Sequence, residues 1–124
     1  MNRGIDFALS MFDYTPISIE TVQSKYFIKE RLIADNGATK EFEIFDKSIT
    51  DCFRMNKLVV KGKYSLRKET FYILIVTEGT GQIKSGEEIF VVKFGDKFLI
   101  PASTKSVKIN TESSVEMILA MPPE

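Results

Sequence analysis

The sequence predicts an all-β barrel of the jelly-roll type, led by one short amino-terminal helix. Three observations carry this reading. Short apolar or alternating stretches recur from residue 20 to the end of the chain. Glycine-containing turns punctuate them at Asn36-Gly37, Lys61-Gly62-Lys63, Gly79-Thr80-Gly81, Ser85-Gly86 and Gly95-Asp96. Helical periodicity is confined to the first residues. About eight to ten short strands at such spacings fit a jelly roll or a related barrel.

The elements follow in order. Ile5, Ala8, Leu9 and Phe12 stand at i, i+3, i+4 and i+7, one stripe of an amphipathic helix over residues 3–13. Asn2 is placed to cap it, and Thr15-Pro16 ends it, because the residue before proline is pushed out of the helical region. The stripe needs cover, from the barrel behind it or from a partner. Tyr26 to Ile33 reads as a strand closed by Asp35-Asn36-Gly37. Glu41-Phe-Glu-Ile-Phe45 alternates as a half-buried strand does. Phe53 to Val60 is a further strand, and the segment Cys52–Val59 matches Tyr26–Ile33 in its Phe-bearing start and basic-Leu-aliphatic end. Two matched strands of one sheet explain that likeness as well as a duplication does.

Phe71 to Val76 is a continuous apolar run, too short for a buried helix and rich in β-branched and aromatic residues, hence a central strand. Gln82-Ile-Lys84 and Glu88-Ile-Phe-Val-Val92 flank the Ser85-Gly86 turn. Phe98 to Ile100 is stopped by Pro101. Val107 to Ile109 and Val115 to Met121 are the last strands, joined by Thr111-Glu-Ser-Ser114. The organisation predicted is a helical lead over residues 1–18 and one barrel domain over residues 19–124.

Composition bounds the function. At 124 residues the chain is one domain able to close a core without staples. Ten Phe and four Tyr, with no Trp, suit a β-rich core. Seventeen basic residues balance seventeen acidic ones, so nothing points to nucleic acid or a membrane surface. No apolar run approaches the ~20 residues that cross a bilayer, and Asp6 breaks the apolar start, which makes a poor signal peptide. The single cysteine, Cys52, cannot form an internal disulfide; beside Asp51 and Phe53 it reads as a buried small hydrophobe rather than a nucleophile. A cytoplasmic location fits.

The chain has no histidine. That removes Ser-His-Asp and Cys-His arrangements. Gly79-Thr-Gly81 follows a strand with no helix after it, so it is no phosphate-cradling loop, and Glu87-Glu88 flank a hairpin tip.

The stretches Phe71-Tyr-Ile-Leu-Ile-Val-Thr-Glu-Gly-Thr-Gly-Gln-Ile83 and Val92-Lys-Phe-Gly-Asp-Lys-Phe-Leu-Ile-Pro-Ala102 resemble the hairpin-and-turn rhythm of cupins. With Lys25-Tyr-Phe-Ile-Lys29, Met11-Phe-Asp-Tyr14 and the closing Pro122-Pro123, nearly the whole chain resembles the terminal cupin domain of type I mannose-6-phosphate isomerases in their short bacterial form. Those enzymes interconvert mannose 6-phosphate and fructose 6-phosphate with a zinc ion in the amino-terminal cupin. The resemblance implies that the metal ligands and the catalytic arginine lie upstream of the region matched, and Arg3 sits in no matching motif. It therefore implies a non-catalytic half, whether a separate gene product, a remnant or a fragment, which braces or completes a metal-bearing cupin domain or pairs with itself as a homodimer.

In a metal cupin a Glu ligand stands seven residues before the first glycine of the turn, where this chain has Tyr72. Two His ligands would fall within Ser65-Leu-Arg-Lys68 and the last near Ser106. All are replaced by poor ligands, so no metal cofactor is expected. Arg67, Lys68, Tyr72 and Lys105 then either line a vacated mouth that takes an anion such as a sugar phosphate, or are solvated strand edges where lysine discourages pairing. A stand-alone carbohydrate-binding cupin or a metal-independent sugar isomerase is the alternative reading of the whole.

Overall fold

The computed structural model describes residues 3–124. Ten strands follow two short helices. The helices are α1 (Gly4–Ser10) and α2 (Ile19–Lys25). The strands are β1 (Arg31–Asp35), β2 (Thr39–Phe45), β3 (Arg54–Val60), β4 (Lys63–Leu66), β5 (Tyr72–Gly79), β6 (Gly81–Ser85), β7 (Glu88–Val92), β8 (Lys97–Ile100), β9 (Val107–Asn110) and β10 (Val115–Met121). They form a six-stranded sheet in the order β1-β2-β3-β10-β5-β8 and a four-stranded sheet in the order β4-β9-β6-β7. Every pairing is antiparallel. The all-β barrel with a helical lead is therefore present.

Alternation builds the core. Leu58 and Val60 of β3, Leu74 and Val76 of β5, and Val115, Met117 and Leu119 of β10 point inward from the larger sheet. Leu66, Ile83, Val92, Val107 and Ile109 meet them from the smaller one. The chain crosses between sheets at Gly79-Thr80-Gly81. A Cβ on Gly79, whose φ is +82°, would lie 2.1 Å from the Ser114 carbonyl oxygen, so the crossing requires glycine. Thr111 Oγ1 donates to the Thr80 carbonyl at 2.7 Å and pins the same corner. Between β6 and β7, Ser85 pairs with Glu88 across a two-residue loop whose first member, Gly86, has φ +60°. With no positive φ at Glu87 this is the hairpin turn that takes glycine first.

The amino-terminal segment departs from the expected pattern. α1 stops at Ser10, short of residue 13, because Tyr14 Oη donates to the Leu9 carbonyl and Ser10 Oγ to that of Phe7, closing off the helix end. Its N-cap is Arg3; Asn2, the expected cap, lies outside the described residues. Helix α2 was not legible as a periodicity, since Ile19 and Val22 are its only large apolar residues. Ser18 starts it, accepting the Thr21 N–H at 3.2 Å. The strand expected over Tyr26–Ile33 is shortened accordingly: Tyr26 is the C-cap of α2 and β1 begins at Arg31. Neither helix buries a residue, and Ile5 is 77% exposed. The stripe on α1 is thus not covered by the barrel.

Cys52 is exposed, not buried. It sits in the turn between β2 and β3, where its N–H donates to Thr50 Oγ1 and the side chain points away from the core. No helix among the described residues is long and apolar enough to cross a membrane.

Candidate functional site

The interior of the barrel carries one polar cluster, and it centres on Glu41. β2 presents Thr39 and Glu41 inward, so the polar face of this alternating strand is the buried one. Alternation marks two faces without saying which is inside. Glu41 is 6% exposed, and Lys68 Nζ and Asn56 Nδ2 both donate to its Oε1, at 2.7 and 2.8 Å. Asn56 belongs to the neighbouring β3. Lys68 follows β4 of the opposite sheet, so the ion pair ties the two sheets together. A carboxylate this deep is tolerable only because it is paired and hydrogen-bonded.

One tyrosine, Tyr64, borders the cluster, and a second, Tyr72, is buried elsewhere in the interior. Burial, and then the charge of Glu41, push the Tyr64 hydroxyl above the usual phenol range. Tyr72, 2% exposed on β5, is pushed up to about 12 by burial. Beside Glu41 lies a cavity of about 120 Å³ lined by Ala34, Asp35, Asn36, Thr39, Glu41 and Tyr64. The buried Thr39 Oγ1 has no hydrogen-bond partner. That volume holds a few waters at ~30 Å³ each and falls below the ~300 Å³ at which small-molecule pockets begin.

The four residues singled out from sequence separate here. Lys68 and Tyr72 face the interior. Arg67 is exposed just beyond β4, and Lys105 is exposed on the loop after β8. Glu41 and Asn56, which complete the cluster, were missed. Their signal was a polar residue in register with core positions on strands otherwise read as amphipathic.

The positions where a cupin would hold a divalent metal do not fit one. Leu66 is packed in the core, Arg67 points out, Lys68 is already bound to Glu41, and Tyr72 is buried as a phenol. Among the described residues no three His, Cys, Asp or Glu side chains come together as a metal set. An ammonium donor cannot ligate, and leucine has no lone pair.

The outer face of the six-stranded sheet is the second unusual surface. Register aligns Leu99, Ile73, Ala120, Met55 and Phe45 in one row. Lys97, Ile75, Ile118, Lys57, Phe42 and Leu32 form the next. Apart from Lys97 and Lys57 these two rows are apolar, and Leu99 is 67% exposed; the third row, Glu78, Glu116, Val59, Lys40 and Asp35, is mostly charged.

A family model, mannose-6-phosphate isomerase, cupin domain, matches residues 43–122. The chain belongs to this family. No curated protein sequence matches it. Among solved structures, the mannose 6-phosphate isomerase of Bacillus subtilis superposes with a TM-score of 0.62 at 22% identity, over 76% of this chain and 28% of that one. The chain thus spans just over a quarter of that isomerase. Ectoine synthase from P. lautus gives a TM-score of 0.63 at 15% identity, over 73% of this chain and 67% of that one. The EutQ protein of Clostridium difficile gives 0.60 at 15% identity, over 78% and 80%. At these identities the likeness is one of fold, shared by proteins of different activities.

Proposed function

We propose that this cupin domain is a non-catalytic, metal-free brace, which docks through the outer face of its six-stranded sheet onto a metal-bearing isomerase barrel or, when alone, onto a second copy. The observation that carries the reading is the apolar surface left on the outside of the larger sheet. Its inner face already fills the core, yet Leu99, Ile73, Ile75, Phe42 and Leu32 stand on the outer one. Contiguous apolar surface of this kind marks an interaction site, and a symmetric pair is the commonest closure. The interior supports the same reading, because the space beside Glu41 is too small for a sugar phosphate. A cytoplasmic setting suits such a module.

Sedimentation equilibrium tests it. The chain is expected at twice its 14.1 kDa mass, and Ile73→Glu with Leu99→Glu is expected to give a folded monomer. Neither form is expected to interconvert mannose 6-phosphate and fructose 6-phosphate, with or without zinc. A wild-type monomer at high concentration, or zinc-dependent turnover, would overturn the proposal.

A second reading, a metal-independent enzyme or carbohydrate binder, draws on Glu41 beside Lys68, a buried carboxylate of the kind general acid–base chemistry uses. Turnover lost in Glu41→Gln, with the fold retained, would favour it.

A further inference from the structure

We propose that the outer face of the four-stranded sheet, around Lys63, Lys84 and Lys108, binds a phosphate-bearing small molecule. Register places Ser65, Lys108, Lys84 and Ile89 side by side in one row across β4, β9, β6 and β7. Lys63, Asn110, Gln82 and Val91 form the adjacent row. Lys84 and Lys108 are therefore direct cross-strand neighbours, an arrangement of like charges that weakens a sheet. Both rows lack an acidic residue, and none of the three lysines forms an ion pair among the described residues.

Edge protection accounts for Lys63, on the edge strand β4, but not for Lys84 and Lys108. Lysine discourages pairing when it stands on an edge strand, but β9 and β6, which carry Lys108 and Lys84, are the two interior strands of this sheet. A chain with no net charge thus concentrates repulsion at the centre of one face. The repulsion is relieved by an anion held between the two ammonium groups.

The surroundings specify which anion. An open depression of about 420 Å³ lies here, its polar lining from Lys63, Ser65, Gln82, Lys84, Lys108 and Asn110 and its apolar lining including Tyr64, Ile89 and Ile109. That volume falls within the range of small-ligand sites and suits a small molecule better than a macromolecular strand. Three ammonium groups, a hydroxyl and two carboxamides supply donors on several sides, as the oxygens of a tetrahedral dianion require. Glu112 lines the adjoining depression beside Thr111 and Ser113 and Glu87 stands in the β6–β7 turn; neither lines this one. The inference does not depend on the bracing role, since the two sheets present separate faces.

Phosphorus NMR titrations with inorganic phosphate, pyrophosphate and glycerol phosphate test it. Saturable binding of each is expected, weakening as salt rises. In Lys84→Gln with Lys108→Gln, affinity is expected to fall roughly tenfold or more as two charge-assisted contacts are lost, while Lys47→Gln, in the turn after β2, leaves it unchanged. Tighter binding of the ester identifies an organic phosphate as the ligand and equal binding the free anion; either supports the site. Lys84→Glu sets a carboxylate against Lys108 and is expected to raise the melting temperature while abolishing the rise that phosphate gives the wild type. Absence of saturable binding, or binding unchanged in the double variant, would overturn the proposal. So would an acidic peptide or nucleic acid that binds where phosphate fails.

Discussion

At the scale of single residues, the Glu41–Lys68 pair and Tyr72 control most of what can be measured. Lys68→Met strands the Glu41 carboxylate in the core, and the expected loss is about 3 kcal/mol in urea unfolding. Replacing both partners, Glu41→Leu with Lys68→Met, is expected to cost less, because the uncompensated charge goes with its partner. A double variant as unstable as the single one would contradict this. Tyr72 sets the alkaline limit. Below pH 10 both folded and unfolded chains keep its proton. From about pH 10 to about 12 only the folded chain does, so stability falls as pH rises through that window, by roughly 2 kcal/mol in all. Tyr72→Phe is expected to remove this fall, read by urea unfolding at pH 9, 10 and 11. The sequence pointed to Lys68 and Tyr72 because they replace ligands at fixed spacings from the Gly79 turn. It did not point to Glu41, because in the strand pattern Glu41-Phe-Glu-Ile-Phe45 a hydrophobic count puts Phe42 and Ile44 inside and the glutamates outside.

Individual elements were legible where local chemistry alone decides them. Strands β9 and β10 fall at Val107 and Val115 as read, and β5 begins one residue after Phe71. Proline stops β8 at Ile100, and Asn36-Gly37 turns the chain between β1 and β2 through Asn36 Oδ1, which accepts the N–H groups of Ala38 and Thr39. The short strand β4 and helix α2 were missed: four residues are too few for a period of two to register, and α2 rests on a Ser18 cap more than on a stripe. The turn glycines differ in what they demand. Gly79→Ala drives a methyl into the Ser114 carbonyl at positive φ and is expected to cost roughly 3 kcal/mol or more. Gly37→Ala, also at positive φ but with nothing within 4 Å of its Cβ, is expected to cost about 1 kcal/mol. Thermal unfolding of the two variants side by side checks the difference.

For the whole molecule, cohesion comes from the apolar core shared by two sheets, with the Glu41–Lys68 pair as a polar tie between them. No metal set contributes to that cohesion among the described residues. A chelator is therefore expected to leave the melting temperature where it was, and a fall of several degrees on adding one would mean that a metal holds the barrel. The family of this chain was legible from its turns, because Gly79-x-Gly81 and Gly95-Asp96 fix where strands cross between sheets. The role of each outer face was not, since which residues stand side by side on it is settled only when the strands pair.

Strand β7 is an edge of its sheet and is held at the barrel's corner by Phe90, whose ring meets that of Phe98 of β8 at 5.9 Å. Its run Ile89-Phe-Val-Val92 leaves Val91 76% exposed, a composition that stacks readily into fibrils. Glu87, Glu88 and Lys93 bracket that run, and flanking charges of this kind keep neighbouring copies out of register. Salt that screens them, with no change to the core, is therefore expected to turn a stored solution into a growing fibre, followed as a rise in thioflavin fluorescence. Shelf life is then expected to follow ionic strength at this corner rather than the melting temperature.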